Sequence, residues 1–186
     1  MASLPSEFKI AQAEIVNNLP ITETDSRSLI RIQRKTGGQR WEMRLTSTRV
    51  NLEELKPILG ALGGIRNAMT TVEIAVPVYS DSVATTKTTA ASAAIGATTV
   101  TVNSTTDVAV GDYFRFSGHS KVYIVTAINS ASSMSFFPNL QRAVTGGQTV
   151  TFDGVQFTMK LSGDPLTFNA SNDNTATIEL DLVEAL

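Results

Sequence analysis

The chain carries one histidine, His119, in the stretch Phe-Ser-Gly-His-Ser-Lys. Imidazole is the side chain best suited to moving protons near neutral pH. Serines are plentiful, so a Ser-His-Asp relay could be drawn through it. Such a relay is defined by geometry, and the sequence has no strained Gly-x-Ser-x-Gly elbow to present a nucleophile. Metal centres want clustered ligands, and no partner stands at ligand spacing from His119. With no cysteine in the chain, thiolate catalysis, thiolate metal sites and disulfides are excluded. His119 lies between Gly118 and Ser120, which reads as the exposed tip of a hairpin. Glu53-Glu54 stands where a helix starts and negative charge is favourable, not as a catalytic pair. The glycine pairs at 37–38, 63–64 and 146–147 lack the spacing of a phosphate-binding fingerprint. The expectation is a protein with no catalytic residue, no metal and no cofactor.

A second set of residues is suited to binding. Residues 27–44 hold six basic groups, Arg27, Arg31, Arg34, Lys35, Arg40 and Arg44, and one acid, Glu42. From Leu161 onward there are five acids, Asp164, Asp173, Glu179, Asp181 and Glu184, and no base. Complementary segments can pair across a subunit boundary, where they set register and partner choice. Pairing inside one subunit, or two solvated faces, would use the same residues. A basic hairpin could hold phosphate backbones, but its charged face lacks interleaved aromatics. Trp41, beside Arg40, could stack on a sugar or base; its phase with Met43 and Leu45 predicts core instead.

These residues must be positioned by strands. In "RSLIRIQRKTGGQRWEMRLTS", apolar and polar residues alternate on both sides of Gly37-Gly38, which predicts a hairpin turning there. Arg31, Gln33, Arg40, Glu42 and Arg44 then share its polar face. "RVNLEELKPILGALGGIRN" predicts a short helix with Asn51 as cap and a Val50/Leu55 staple. Leu52, Leu55, Leu59 and Leu62 form its stripe. The helix is expected to bend or restart at Pro57, where a proline costs about 3 kcal/mol, and to stop at Gly63-Gly64. Val72, Ile74, Val76 and Val78 form one face of a strand, with Pro77 marking an edge or exit.

The composition then shifts. "DSVATTKTTAASAAIGATT" is rich in Ala, Thr and Ser and reads as linker or rim. Beyond it "TTVTVNS", "DYFRFSG", "KVYIVTA", "SMSFFPN" and "QTVTFDG" are short strands separated by turn signals. Phe114, Phe116, Val122 and Ile124 are the expected core of the central hairpin. After Gly154 the earlier pattern returns, with Val155, Phe157, Met159 and Leu161 on one face and Ile178, Leu180 and Leu182 on another. The simplest organisation is a discontinuous β-domain of residues 1–80 and 154–186, with a small all-β, barrel-like domain of residues 81–153 inserted into it. At 186 residues, 42% hydrophobic and 17% charged, the chain can bury a real core. Its net charge of -2 gives no general pull toward nucleic acid or a charged membrane. No apolar run approaches a membrane span of about 18 residues, and the start lacks the pattern of a signal peptide.

Two stretches together resemble a known group. "TGGQRWEMRLTSTRVNLEELKPILGALGGIRN" is similar to the N-terminal half of distal tail and tail-tip proteins of tailed bacteriophages. The central segment resembles the module those proteins carry next, through Gly-Asp-Tyr-Phe, Val-Tyr-x-Val, Phe-Phe-Pro-x-Leu and a final Val-x-Phe. "GVQFTMKLSGDP" resembles the return to the first domain. The resemblance covers most of residues 27–165. It implies a mainly β fold, a tail-tube-like barrel or sandwich with one short helix, assembled as a homo-oligomeric ring, usually of six. It implies a structural virion protein at the distal end of the tail, assembled in the host bacterial cytoplasm, between the tail tube protein and hub or baseplate proteins. DNA would be only passing cargo in the lumen, and the chain would not enter a membrane. In such a ring Arg31, Gln33, Arg40, Glu42 and Arg44 are candidates for lumen or inter-subunit contacts, with Asp164, Glu179 and Asp181 as the complementary patch. The alternative is a receptor- or carbohydrate-binding module, which requires exposed aromatics on the insert, such as Tyr113, Tyr123, Phe136 and Phe137.

Overall fold

The computed structural model describes residues 2–25, 31–35, 38–67, 69–75, 86–162 and 167–185. The protein is mainly β with one helix. The strands before the helix are β1 (Ala2–Ser3), β2 (Ile10–Asn18), β3 (Ile21–Asp25), β4 (Arg31–Lys35), β5 (Arg40–Ser47) and β6 (Val50–Asn51), and α1 is Leu52–Asn67. Then come β7 (Val72–Ala75), β8 (Thr86–Thr88), β9 (Thr99–Thr101), β10 (Tyr113–Phe116), β11 (Val122–Ser130) and β12 (Ser133–Phe137). The last are β13 (Thr149–Thr151), β14 (Gln156–Leu161), β15 (Thr167–Ala170) and β16 (Thr175–Glu184). By internal contacts the chain forms a flanking unit, residues 4–70 and 160–184, and a central unit, residues 1–3, 71–159 and 185–186.

In the flanking unit β5 pairs antiparallel with β16 on one side and β2 on the other, and β6 and β15 also pair with β16. Period-two alternation puts one set of side chains inside. Trp41, Met43 and Leu45 from β5 and Ala176, Ile178, Leu180 and Leu182 from β16 are buried. Burial of each large apolar side chain contributes about 1.5–3 kcal/mol. Trp41 is therefore core, as its phase predicts. The expected hairpin at Gly37-Gly38 is corrected: β4 pairs with β3, not with β5. Asp25 stands across from Arg31 and Glu23 across from Gln33 in that register. Opposite-charge cross-strand pairing favours this partner over another basic strand.

The helix also differs from expectation. It runs unbroken for 16 residues through Pro57 and Gly63-Gly64. Pro57 is exposed and near the start, so the carbonyl it leaves unbonded can face water. Leu55, Ile58, Leu62 and Ile65 are buried, spaced three, four and three residues apart. Leu52 is exposed and Leu59 half-buried, so the stripe is rotated from the expected one. Val50 and Leu55 are both buried, as the staple requires. The Leu52 N–H donates to the Asn174 carbonyl at 3.1 Å.

The helix ends in a Schellman motif: Thr70 N–H donates to Ile65 C=O at 3.3 Å and Met69 N–H to Arg66 C=O at 3.1 Å. Met69 takes the left-handed position, with φ 49°, while 83% exposed. Glycine fits there without a Cβ penalty, and Met69 gives up little packing. Met69→Gly is expected to stabilise the protein by about 0.5–1 kcal/mol, read as a rise in thermal midpoint.

The central unit holds a six-stranded sheet in the order β8-β13-β10-β11-β12-β9. Its end strands meet through an antiparallel bridge, Thr89 to Val102. Ala90 N–H donates to Thr101 C=O, and Asn103 N–H to Thr88 C=O, both at 2.8 Å. The sheet thus closes on itself, which removes the open edges that invite wrong pairing. Part of the segment read as linker or rim is therefore the strand β8. Small Ala and Thr side chains carry little apolar signal even when their backbone completes a barrel.

The barrel is filled by Phe114, Phe116, Tyr123, Phe136 and Phe152 with Val, Leu and Met neighbours. Register explains why Tyr123 and Val125 are core while Ile124 is only half-buried. Phe114 stands opposite Tyr123, and residues directly opposite share a face. At the entry to β10, Gly111 has φ 101°, a conformation glycine supplies, and Asp112 accepts from Ala109 N–H at 2.8 Å. His119 is a second correction. It is not an exposed tip but 8% exposed, with its ring centroid 5.4 Å from that of Phe116. The same unit contains β7 between β1, parallel, and β14, antiparallel. Val72, Ile74, Val155, Phe157 and Met159 are buried, while Val76 and Val78 lie outside the described residues.

Candidate functional site

The face of the flanking sheet opposite its core assembles most of the charged candidates. Three strands set them in rows. Gln12 lies across from Thr46 and Thr46 from Glu179; Glu14 from Arg44 and Arg44 from Asp181; Val16 from Glu42 and Glu42 from Val183. The middle row puts a guanidinium between two carboxylates. Arg44 Nε donates to Asp181 Oδ1 at 2.7 Å. That bond, then the charge of Asp181, holds the Arg44 guanidinium above its ordinary pKa.

In the next row Glu42 Oε1 accepts from Asn18 Nδ2 at 2.7 Å and from Arg40 Nε at 2.9 Å. The Asn18 amide is the main reason the Glu42 carboxyl titrates below its usual value; burial opposes it and Arg40 assists. Both ion pairs are largely open to solvent, so each adds little to stability. Their use is to define a patterned polar surface.

That surface runs to an open edge. Among the described residues β2 ends the strand order of its sheet and pairs only with β5. Val16 is 44% exposed there. Beyond it the chain continues as β3, exposed along its length, in a two-stranded sheet with β4. Ile21, the first residue of that ribbon, is 48% exposed. An open edge and an isolated ribbon are features that isolated subunits normally cover.

Arg40, Glu42, Arg44, Glu179 and Asp181 are thus brought onto one face. Arg31 and Gln33 lie on β4, with their side chains outside the described residues, as is Asp164. Arg44 and Asp181 pair within the subunit, and Asp173 pairs with Arg49 at 3.5 Å. Glu184, counted above with the acidic segment, belongs to the opposite face. It is 5% exposed and accepts the Trp41 backbone N–H at 3.0 Å. Its phase with Ile178, Leu180 and Leu182 was the available signal. The exposed aromatic cluster required by a sugar-reading insert does not form: Tyr123 and Phe136 are buried and Tyr113 and Phe137 half-buried. The Tyr123 and Phe136 rings fill the barrel, and the Tyr113 ring packs on Phe157.

No protein-family model matches the chain. Over 81 residues it is 36% identical to the distal tail protein pb9 of Escherichia phage T5. The match takes in 41% of this chain and spans 40% of the length of that relative.

Proposed function

We propose that this chain is a structural protein of a bacteriophage tail, placed at its distal end, that assembles as a homo-oligomeric ring, of six subunits, between the tail tube and the hub or baseplate. The partial likeness to a distal tail protein supports the tail assignment. The observation that carries the assembly reading is the polar face of the flanking sheet ending at the exposed edge strand β2 and its ribbon. A heterologous ring needs two different patches per subunit, which close when the rotation allows. The β2 edge with β3 and β4 is one patch, and the Glu179–Asp181 side of the same face is the other.

The discontinuous organisation fits this role. Residues 1–80 and 154–186 form the ring-building, tail-tube-like domain, and residues 81–153 are the insert, whose closed barrel leaves it no edge to donate. The passage enclosed by the ring takes DNA as cargo, and no enzymatic step is assigned. Immunogold labelling of virions against this chain should decorate the tail end distal to the capsid. Negative-stain images of the purified protein with tail tube protein should show rings. Absence of the chain from virions, or labelling along the whole tail, would overturn the reading.

A further inference from the structure

The last turn of α1 and the end of β14 border a cavity of about 360 Å³ in the flanking unit. That volume lies in the lower part of the range for binding pockets. Ile65, Met69 and Leu161 are its apolar lining. Ile65 is 8% exposed and Leu161 half-buried, whereas Met69 is 83% exposed. A large apolar side chain beside a cavity is thus offered to solvent, as at binding surfaces. Methionine suits such a surface, because its unbranched thioether adapts to what it meets.

Met69 is also held at the expense of the free subunit. Its φ of 49° is a left-handed conformation, and the exposed side chain gains little packing to offset it. Glycine would end the helix equally well. A partner packed on the thioether provides the missing contacts. The Ile65 carbonyl accepts from Thr70 N–H at 3.3 Å and lies 3.4 Å from Thr70 Oγ1, and the Arg66 carbonyl accepts from Met69 N–H. The helix end is therefore capped, and its carbonyls oppose an anion less than open ones would. Lys160 lines the same cavity, is exposed and forms no ion pair among the described residues. Arg66, also in the lining, is already engaged within the chain. Among the described residues no carboxylate lines the cavity. An acidic partner is complementary in charge and a basic one is not.

We infer that this groove docks a short segment of another protein, one that carries a large apolar side chain beside a carboxylate. The apolar side chain packs on Met69, Leu161 and Ile65, and the carboxylate faces Lys160. The residue that weakens the free subunit is the one that holds the partner, so Met69→Gly exchanges binding for stability. The inference stands apart from the proposed ring, whose contacts use other residues.

Three dye-labelled peptides, Ser-Gly-Glu-Phe-Glu-Gly-Ser and its Glu-Ala-Glu and Lys-Phe-Lys counterparts, test it by fluorescence anisotropy with the full chain at low salt. Glu-Phe-Glu should bind about tenfold more tightly than Glu-Ala-Glu and about threefold more tightly than Lys-Phe-Lys. Met69→Gly should raise the thermal midpoint yet weaken Glu-Phe-Glu about tenfold, and Met69→Leu should keep the affinity. Lys160→Glu, at an exposed position, should erase the preference for the acidic peptide. The methyl carbon signal of Met69 should move on peptide addition, while those of the buried Met43, Met134 and Met159 stay in place. No binding at millimolar concentration overturns the inference. So does equal affinity for the alanine peptide, or binding indifferent to Met69→Gly or to Lys160→Glu. A concentration-dependent dimer that Met69→Gly abolishes would seat a second copy in the groove and overturn the assignment to another protein.

Discussion

Phe114→Ala is expected to destabilise the central unit by about 3–5 kcal/mol, the range for removing a buried aromatic side chain. Phe114 is 0% exposed and sits at the middle of the barrel. Its ring centroid lies 5.3 Å from Phe116, 5.6 Å from Tyr123, 5.7 Å from Phe136 and 5.4 Å from Phe152. The Phe116 and Phe136 pairs are edge-on and the Tyr123 pair is stacked, geometries that add to simple burial. A closed six-stranded barrel cannot readily collapse around the space left, because its strand order is fixed on both sides. For a domain of this size the loss corresponds to a fall in midpoint of roughly 15 °C or more, followed by near-ultraviolet circular dichroism of the tyrosines. Phe168→Ala is the comparison: Phe168 is 46% exposed on β15, and its replacement should move the midpoint by no more than about 2 °C. A small shift for Phe114→Ala would mean that the aromatic cluster does not organise the barrel.

What was legible in the sequence divides along a physical line. Faces follow from period two, so Trp41, Met43, Leu45, Ile178 and Leu182 were readable as core. The five short strands of the insert announced themselves by alternation between turn signals. Pairing was harder, because partner choice lies outside any local window. "ITETD" has too little apolar character to read as a strand, yet it is the partner that takes "RIQRK" away from the Trp41 strand. The helix outran its glycines because buried Leu62 and Ile65 hold both sides of Gly63-Gly64. His119 illustrates the same limit. A lone histidine between glycine and serine reads as exposed, and only the fold brings Phe116 and Ala143 against it. Among the charged candidates, the shared face was readable, while the Arg44–Asp181 pairing depended on the register of β5 with β16.

Replacing residues 20–38 by Asn-Gly is expected to abolish the proposed ring assembly and virion incorporation while leaving the subunit folded. The paired strands β2 and β5 would still end at Asn18 opposite Arg40. Leu19 and Gln39 are retained, so the Gln39 Nε2 to Asn17 Oδ1 bond of 2.8 Å survives. Asn-Gly suits the tight turn that then joins the two strands. The deleted ribbon is two-stranded, and its β3 strand is exposed throughout. Such a ribbon adds little to the stability of an isolated subunit. The midpoint should therefore move by less than about 4 °C, with unchanged monomeric circular dichroism. Assembly should respond differently, because an exposed strand edge gains its backbone hydrogen bonds only when another chain supplies them. In the proposed ring those bonds would form along the whole ribbon at once, so removing the ribbon should eliminate the contact instead of weakening it. Sedimentation with tail tube protein separates the outcomes: wild-type chain moves as a ring-sized complex and the shortened chain as a monomer. A shortened chain that still forms rings would exclude the ribbon as an assembly element and leave the β2 edge to act alone. A shortened chain that unfolds would place the ribbon in the core of the flanking unit, contrary to its exposure.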